Sequence, residues 1–337
     1  MSHWLLLLEF AGLALVIGTS GYFLSLYGDV IAEKTGLGGG WVGFSLLATV
    51  TSLPELVTGI SAVTYVDVPD IAVGNILGSC TFNLLLVVSL DLLHRKSSVF
   101  TLVSQGNILS AGFGVILLGF VAFNLLLHQH GFDLSVRHIG LYTPVMIVFY
   151  LIAVRTVFRY EKVQHLEAIE ETVERHPGIG LGKAAVFYCM AAAVIVAAGI
   201  RLPLTAEHVA EAMEWQRSFV GTVFVALATV MPEMAVTFSA FRIGALDMAI
   251  SDLFGSNLFN LTILALDDLA YLKGPLFSAV SSAHLISAQS AIMMTGLAIV
   301  GLLYRSNARL FKTVGWVSFF MVGIFIVNVT VLYLQGR

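Results

Sequence analysis

Two stretches of the chain, ATVTSLPEL at 48–56 and ALATVMPEM at 226–234, set a Pro-Glu pair beside threonine, and in the first case serine, inside long apolar runs. Proline has no N–H and crowds the preceding turn, so Pro54 and Pro232 each open a helix locally and bare carbonyl oxygens. In hydrocarbon such a break is tolerated where it lines a cavity or faces a bound ion. Thr51, Ser52 and Glu55 add oxygens within one turn, and Thr229 and Glu233 do the same in the second stretch. Downstream, Asn75, Ser79 and Asn83 recur every fourth residue and share one helix face, a stripe repeated by Asp252, Ser256 and Asn260. If these four segments meet, two carboxylates sit among hydroxyls, amides and freed carbonyls. An all-oxygen cage suits a hard cation such as Ca2+, which takes about 6–8 oxygens in irregular geometry. Zinc chemistry is not indicated, because HLEAIEETVERH at 165–176 is not His-Glu-x-x-His and Cys80 and Cys189 lie far apart in apolar runs. Two ionised glutamates in a membrane are costly unless neutralised, so an empty site is expected to take up protons or monovalent cations, the basis of obligatory exchange.

The elements that must position these residues follow from composition. Of the 337 residues 58% are apolar and 11% charged, and the mean hydropathy of +0.92 marks a polytopic membrane protein. Backbone groups in a bilayer must be satisfied internally, and runs of about 20 apolar residues fit helices. Ten spans are predicted, at 4–27, 41–64, 70–93, 105–127, 138–158, 183–200, 219–242, 247–269, 280–303 and 312–333. The first resembles a signal peptide in length but has no basic region ahead of it and no clear cleavage site, and is read as a helix. Of the 17 Lys and Arg, 12 fall on one side of this topology and 5 on the other, which predicts both termini outside, the 159–182 connection in the cytosol, and residence in the cell membrane.

That connection is the one clear polar break, and it divides the chain into 1–158, a linker at 159–182, and 183–337. Five spans per half force the second unit to enter the membrane inverted relative to the first. At an offset of 178, Ala32-Glu33 matches Ala210-Glu211, Gly43 matches Gly221, Ala48 matches Ala226, Thr51 matches Thr229, Pro54-Glu55 matches Pro232-Glu233 and Ser61-Ala62 matches Ser239-Ala240. After a one-residue gap, Gly78-Ser79 matches Gly255-Ser256 and Phe82-Asn83 matches Phe259-Asn260, so the repeated motifs occupy 43–83 and 221–260. Small residues recur at any close helix contact, but a repeated Pro-Glu followed by Gly-Ser-x-x-Phe-Asn is not a packing pattern.

With these motifs the chain resembles the sodium/calcium exchangers of the calcium/cation antiporter superfamily, whose repeats read roughly Gly-Thr-Ser-x-Pro-Glu and Gly-Ser-Asn-x-x-Asn. The resemblance implies an all-α integral membrane fold of about ten helices in two inverted five-helix repeats. It implies an antiporter exchanging Ca2+ for Na+, with Glu55 and Glu233 on Ca2+. Further ligands implied are Thr51, Ser52, Ser79 and Asn83, then Thr229, Ser256 and Asn260, with carbonyls of Ala48 and Ala226. Val50 and Ala228 replace the family's glycine, Cys80 replaces an asparagine and is read as a packing residue, and Val230 replaces a serine that helps bind Na+. Asp252 replaces an amide, as a proton carrier, an extra cation ligand or a lumen-facing residue. A lost sodium oxygen and a gained acid suit H+-coupled exchange as in the calcium/proton exchangers, yet the Gly-Asn-x-x-Glu helix usual there is missing. An intramembrane enzyme or a non-transporting membrane protein is the remaining alternative. No catalytic residue, cofactor or nucleic-acid partner is expected; the partners are the bilayer and the ions.

Other polar residues are expected to be structural. GTS at 18–20 lacks a following Pro-Glu and is read as helix packing. Asp70 and Asp247 stand at helix starts, where a carboxylate caps free N–H groups. His94, His128, His130 and His138 lie near span ends, and Glu167, Glu170, Glu171 and Glu174 form a solvated face of the linker.

Overall fold

The computed structural model describes residues 3–35, 50–94, 97–104, 106–165, 178–305, 309–310 and 314–335. Its helices are α1 (His3–Thr35), α2 (Leu53–Ser61), α3 (Pro69–Leu93), α4 (Gly106–Gln129), α5 (Tyr142–His165) and α6 (Leu181–Met213). They continue as α7 (Arg217–Thr229), α8 (Met231–Arg242), α9 (Leu246–Ala270), α10 (His284–Tyr304) and α11 (Trp316–Gln335). Among the described residues eight helices are long and apolar enough to cross a membrane, nine when the bent pair α7 and α8 counts as one span, and Leu53–Val66 is a shorter apolar helix. The protein is therefore an integral, multi-pass, all-α membrane protein built as two inverted repeats.

Several predicted limits shift for identifiable reasons. The span expected at 219–242 is broken at Val230, with a 46° bend between α7 and α8. The span expected at 41–64 is described only from Val50, and a π-helical turn, Ala62–Val66, carries α2 to its end. The helix expected at 183–200 runs on to Met213 despite Pro203, which costs one backbone hydrogen bond but not the apolar face around it. Short antiparallel ribbons precede α5 (Ser135–Val136 with Ile139–Gly140) and α11 (Arg309–Leu310 with Val314–Gly315), so the same loop form recurs in both halves.

Burial separates centre from periphery. In α3 and α9, 72% and 78% of the apolar window is enclosed by protein, against 28% in both α1 and α6. The two polar-striped helices thus form the heart of the molecule, while α1 and α6 pack together on its flank and show Leu15, Phe23, Val186 and Val194 to lipid. Gly74, Gly78 and Gly221 bring α3 against the π-helical turn Val220–Val225 of α7; a Cβ on Gly78 would lie 2.2 Å from the Thr222 carbonyl oxygen. Gly21 of α1 seats on Pro232 of α8, and Gly199 of α6 on Val57 of α2, so each flanking helix presses on the Pro-Glu helix of the other half.

Four carboxylates lace the halves together in symmetric pairs. Asp91, at the end of α3, accepts from Ser98 Oγ (2.9 Å) and Val99 N (3.1 Å) of its own half and from Gly315 N (3.2 Å) and Ser318 Oγ (2.7 Å) of the other. Its repeat mate Asp268 accepts from Leu276 N (2.7 Å) at home and from Gly140 N (3.0 Å), Tyr142 Oη (2.6 Å) and Thr143 Oγ1 (2.5 Å) across the interface. Asp70 and Asp247 differ from the expectation that each caps its own helix. Asp70 accepts from Ser281 N (2.7 Å) and contacts His284 Nε2 (2.9 Å) at the start of α10, and Asp247 accepts from Ser104 N (2.6 Å) and Asn107 Nδ2 (3.0 Å) at the start of α4. The inverted packing sets the foot of each central helix beside the free N–H groups of a helix from the other half, so capping is exchanged between repeats. At the surface, Asp67 in a left-handed turn pairs with Lys273, and this contact holds the Lys273 ammonium above its usual range.

Candidate cation site

The Pro-Glu segments build the centre of the site. Helix α2 begins after Ser52 (φ −83°, ψ 9°) and α8 after Val230 (φ −75°, ψ −5°), each with proline in its first turn, where the missing N–H is harmless. Glu55 and Glu233 follow in the same first turns. The positive end of each short helix thus faces a carboxylate, an arrangement that favours the anion. Both glutamates are fully buried.

The hydroxyls converge on them from the opposite walls. Ser79 Oγ donates to Glu55 Oε1 (3.4 Å) and Ser52 Oγ to Glu233 Oε1 (3.4 Å). Thr51 Oγ1 lies 3.5 Å from Ser256 Oγ, and Ser79 Oγ lies 3.5 Å from Thr229 Oγ1. Thr229 Oγ1 also donates to Asn75 Oδ1 (2.9 Å) and to the Ala226 carbonyl (3.2 Å), which takes the Val230 N–H as well (3.0 Å). Asn83 Nδ2 donates to Asn257 Oδ1 (3.0 Å), whose own amide reaches the Cys80 carbonyl (3.3 Å). The structure therefore brings together Thr51, Ser52, Glu55, Ser79, Thr229, Glu233 and Ser256 where α2, α3, α7, α8 and α9 meet; Asn83 and Asn260 are buried one turn beyond Ser79 and Ser256, Asn83 on Asn257, and Ala48 lies outside the described residues.

Several oxygens in this cluster are left without a partner. Glu55 Oε2, Glu233 Oε2, Asn83 Oδ1, Asn260 Oδ1 and both carboxylate oxygens of Asp252 are buried with no hydrogen bond. No Lys, Arg or His pairs with the three acids among the described residues. Buried oxygens without donors are costly in a protein interior, and hard oxygens of this kind are what a Ca2+-sized ion takes up. Among the described residues no three His, Cys, Asp or Glu side chains converge on one point. A cage at this position would then rest on two carboxylates completed by neutral oxygens.

The repeat symmetry is imperfect at the expected positions. Ser52 serves the glutamate of the opposite half, and its mate Val230, buried at the corresponding place, offers Glu55 nothing. Asp252 stands one turn before Ser256 with no bond, whereas its mate Asn75 is bonded to Thr229. Cys80 is fully buried with Sγ 4.0 Å from the Asn257 carbonyl, as a packing residue would be. Gly18, in GTS, packs on Met231 of α8. Sequence reading passed over Asp91, Asp268, His284 and Asp267; the first two share the offset of 177 that relates the two Gly-Ser-x-x-Phe-Asn motifs, a signal that extending the repeat alignment would have exposed.

Comparison with known proteins finds a family match over both halves of the chain. The sodium/calcium exchanger protein family matches residues 4–159 and 183–334. The inner membrane protein YrbG of Escherichia coli is 26% identical over 225 residues, 66% of this chain and 66% of that protein. The sodium/calcium exchanger MaX1 of Methanosarcina acetivorans is 26% identical over 77% of this chain and 81% of its own. Among solved structures the H+/Ca2+ exchanger CAX superposes with a TM-score of 0.68 over 98% of this chain and 86% of that one at 14% identity, a likeness of fold.

Proposed function

The chain belongs to the sodium/calcium exchanger family, and from that membership we propose that it is a secondary active antiporter exchanging Ca2+ for Na+ by alternating access, with Glu55 and Glu233 as the carboxylates that hold Ca2+. A family of exchangers leaves no place for the intramembrane-enzyme alternative. The observation that carries the proposal is the pair of fully buried glutamates, one from each half, each with one oxygen on a serine hydroxyl and the other free. Two negative charges match one divalent ion, and Asn83, Asn260 and the hydroxyls of Thr51, Ser52, Ser79, Thr229 and Ser256 supply neutral oxygens around it. When Ca2+ leaves, the carboxylates are left uncompensated in a medium where each unpaired charge costs several kcal/mol. Monovalent ions must replace it before the empty site can reorient, and exchange becomes obligatory.

A second reading, H+ as the coupling ion, is favoured by Val230 and Asp252: a hydroxyl is missing beside Glu55 and an unbonded acid stands beside the cluster. Both readings share the Ca2+ ligands. In either, the excess of Lys and Arg on one side supports a cytosolic 159–182 connection, and the cell membrane is the proposed location.

The test is Ca2+ uptake into proteoliposomes under an imposed Na+ gradient or an acidic interior. Uptake with Na+ and its loss in Glu55→Gln, with the protein still folded, are expected; wild-type uptake by that variant removes Glu55 from the site. Uptake with the proton gradient alone transfers coupling to H+.

A further inference from the structure

Asp267 is a second unpaired acid outside the cage. It lies seven residues beyond Asn260 and eleven beyond Ser256 on α9, which returns it to the same helix face. It is fully buried, and neither carboxylate oxygen has a hydrogen bond, although its neighbour Asp268 accepts four. The two free oxygens press on the backbone of α2 at Gly59, where an added Cβ would lie 2.6 and 2.7 Å from them. Gly59 is four residues beyond Glu55, so Asp267 stands about one helical turn from the central glutamate along the same side of α2. The adjacent Thr58 hydroxyl is also buried without a partner.

The other half has no such acid. The repeat mates of Asp267 and Gly59 are Leu90 and Thr237, a fully buried leucine and a buried hydroxyl. At these matched positions the two halves therefore differ, and the acid lies on the side of the cage toward the face formed by residues 67–68, 130–141 and 271–283. A lone buried carboxylate in a membrane interior calls for a counter-charge. A proton alone would still leave the other oxygen without a donor among the described residues, at a cost comparable to a lost hydrogen bond. One negative charge is balanced by a monovalent ion, whereas a divalent ion would leave excess positive charge in low dielectric.

Building on the antiporter reading, we propose that Asp267 is a second cation station that takes one Na+-sized monovalent metal ion between the Glu55 site and the face bearing residues 271–283. The geometry that supports this is the unbonded carboxylate seated on glycine one turn from Glu55, present in one half only.

The experiment uses the full chain in vesicles of one orientation, comparing wild type with Asp267→Asn and Asp267→Leu. Ca2+/Ca2+ exchange, which needs no counter-ion, reports whether the protein is folded and the cage intact; its absence from wild type would count against the antiporter reading itself. With that exchange preserved, the Na+ concentration giving half-maximal Ca2+ exchange should rise about tenfold when Na+ is on the 271–283 face, as expected for one lost charged contact, and stay unchanged on the other. An unchanged Na+ dependence on both faces, an equal rise on both, or a change in pH dependence alone overturns the station. Should Asp267→Leu misfold, Asp267→Asn, which keeps the side chain's size, carries the comparison, and no shift on the 271–283 face in that variant counts against the proposal.

Discussion

Gly78→Ala places one methyl group where the structure has no room for it. The new Cβ would lie 2.2 Å from the Thr222 carbonyl oxygen and 2.6 Å from the Ala226 Cβ. Ordinary contact begins near 3.4 Å, so the gap must widen by about 3.4 − 2.2 = 1.2 Å. The obstruction is backbone and cannot rotate away; α3 itself must move. Ser79 is the next residue on α3 and Asn83 follows one turn later, so both are carried off with it. Ca2+ accepts oxygens over a window of only about 2.3–2.6 Å, which a shift of this size exceeds. Overpacking costs about 1–3 kcal/mol of stability, and the site should lose Ca2+ affinity by at least about tenfold as two oxygens leave. Thermal unfolding in detergent with and without Ca2+ reads both effects. At a concentration 100 times the wild-type Kd, bound Ca2+ adds about 2.7 kcal/mol, and after tenfold weakening about 1.4 kcal/mol. Gly112→Ala, on α4 with nothing within 4 Å of the added carbon, is the control and should leave both quantities close to wild type. If Gly78→Ala unfolds and binds Ca2+ as the wild type does, the close approach of α3 to α7 does not position the site.

Val230→Ser should supply Glu55 with the hydroxyl that Ser52 gives Glu233, lowering the Na+ concentration for half-maximal exchange by about tenfold for one added charged hydrogen bond; an unchanged Na+ response in vesicle uptake rejects that symmetry argument. The same change removes buried methyl groups and should cost about 1–2 kcal/mol of thermal stability. Asp268→Asn turns one of two oxygens, each accepting two hydrogen bonds, into a donor facing donors, and a loss of about 3–5 kcal/mol is expected in thermal unfolding. Asp267→Asn, one residue away but unbonded, should cost less than about 1 kcal/mol; equal losses in the two would mean that the hydrogen-bond knot at Asp268 is not what holds the halves together.

The sequence by itself determined the class of the molecule, because the bilayer enforces rules that act locally. Apolar runs must be helices, a Pro-Glu pair within one must face something polar, and a motif repeated after an odd number of spans must return inverted. Glu55, Glu233 and the Asn75 and Asp252 stripes were legible for that reason. Helix limits were less so: α6 passes through Pro203 because its apolar face continues, whereas α7 parts from α8 at Val230, where Pro232 opens the helix as expected. What only the tertiary structure decided is which oxygen meets which donor. Ser52 bonds the glutamate of the other repeat rather than Glu55, Asp70 and Asp247 cap helices more than 30 residues away in sequence, Asp91 and Asp268 hold loops of the opposite half, and Asp267 finds no donor at all. Each pairing joins backbone segments made neighbours by inverted packing, and such a juxtaposition leaves no periodic trace along the chain from which it could be read.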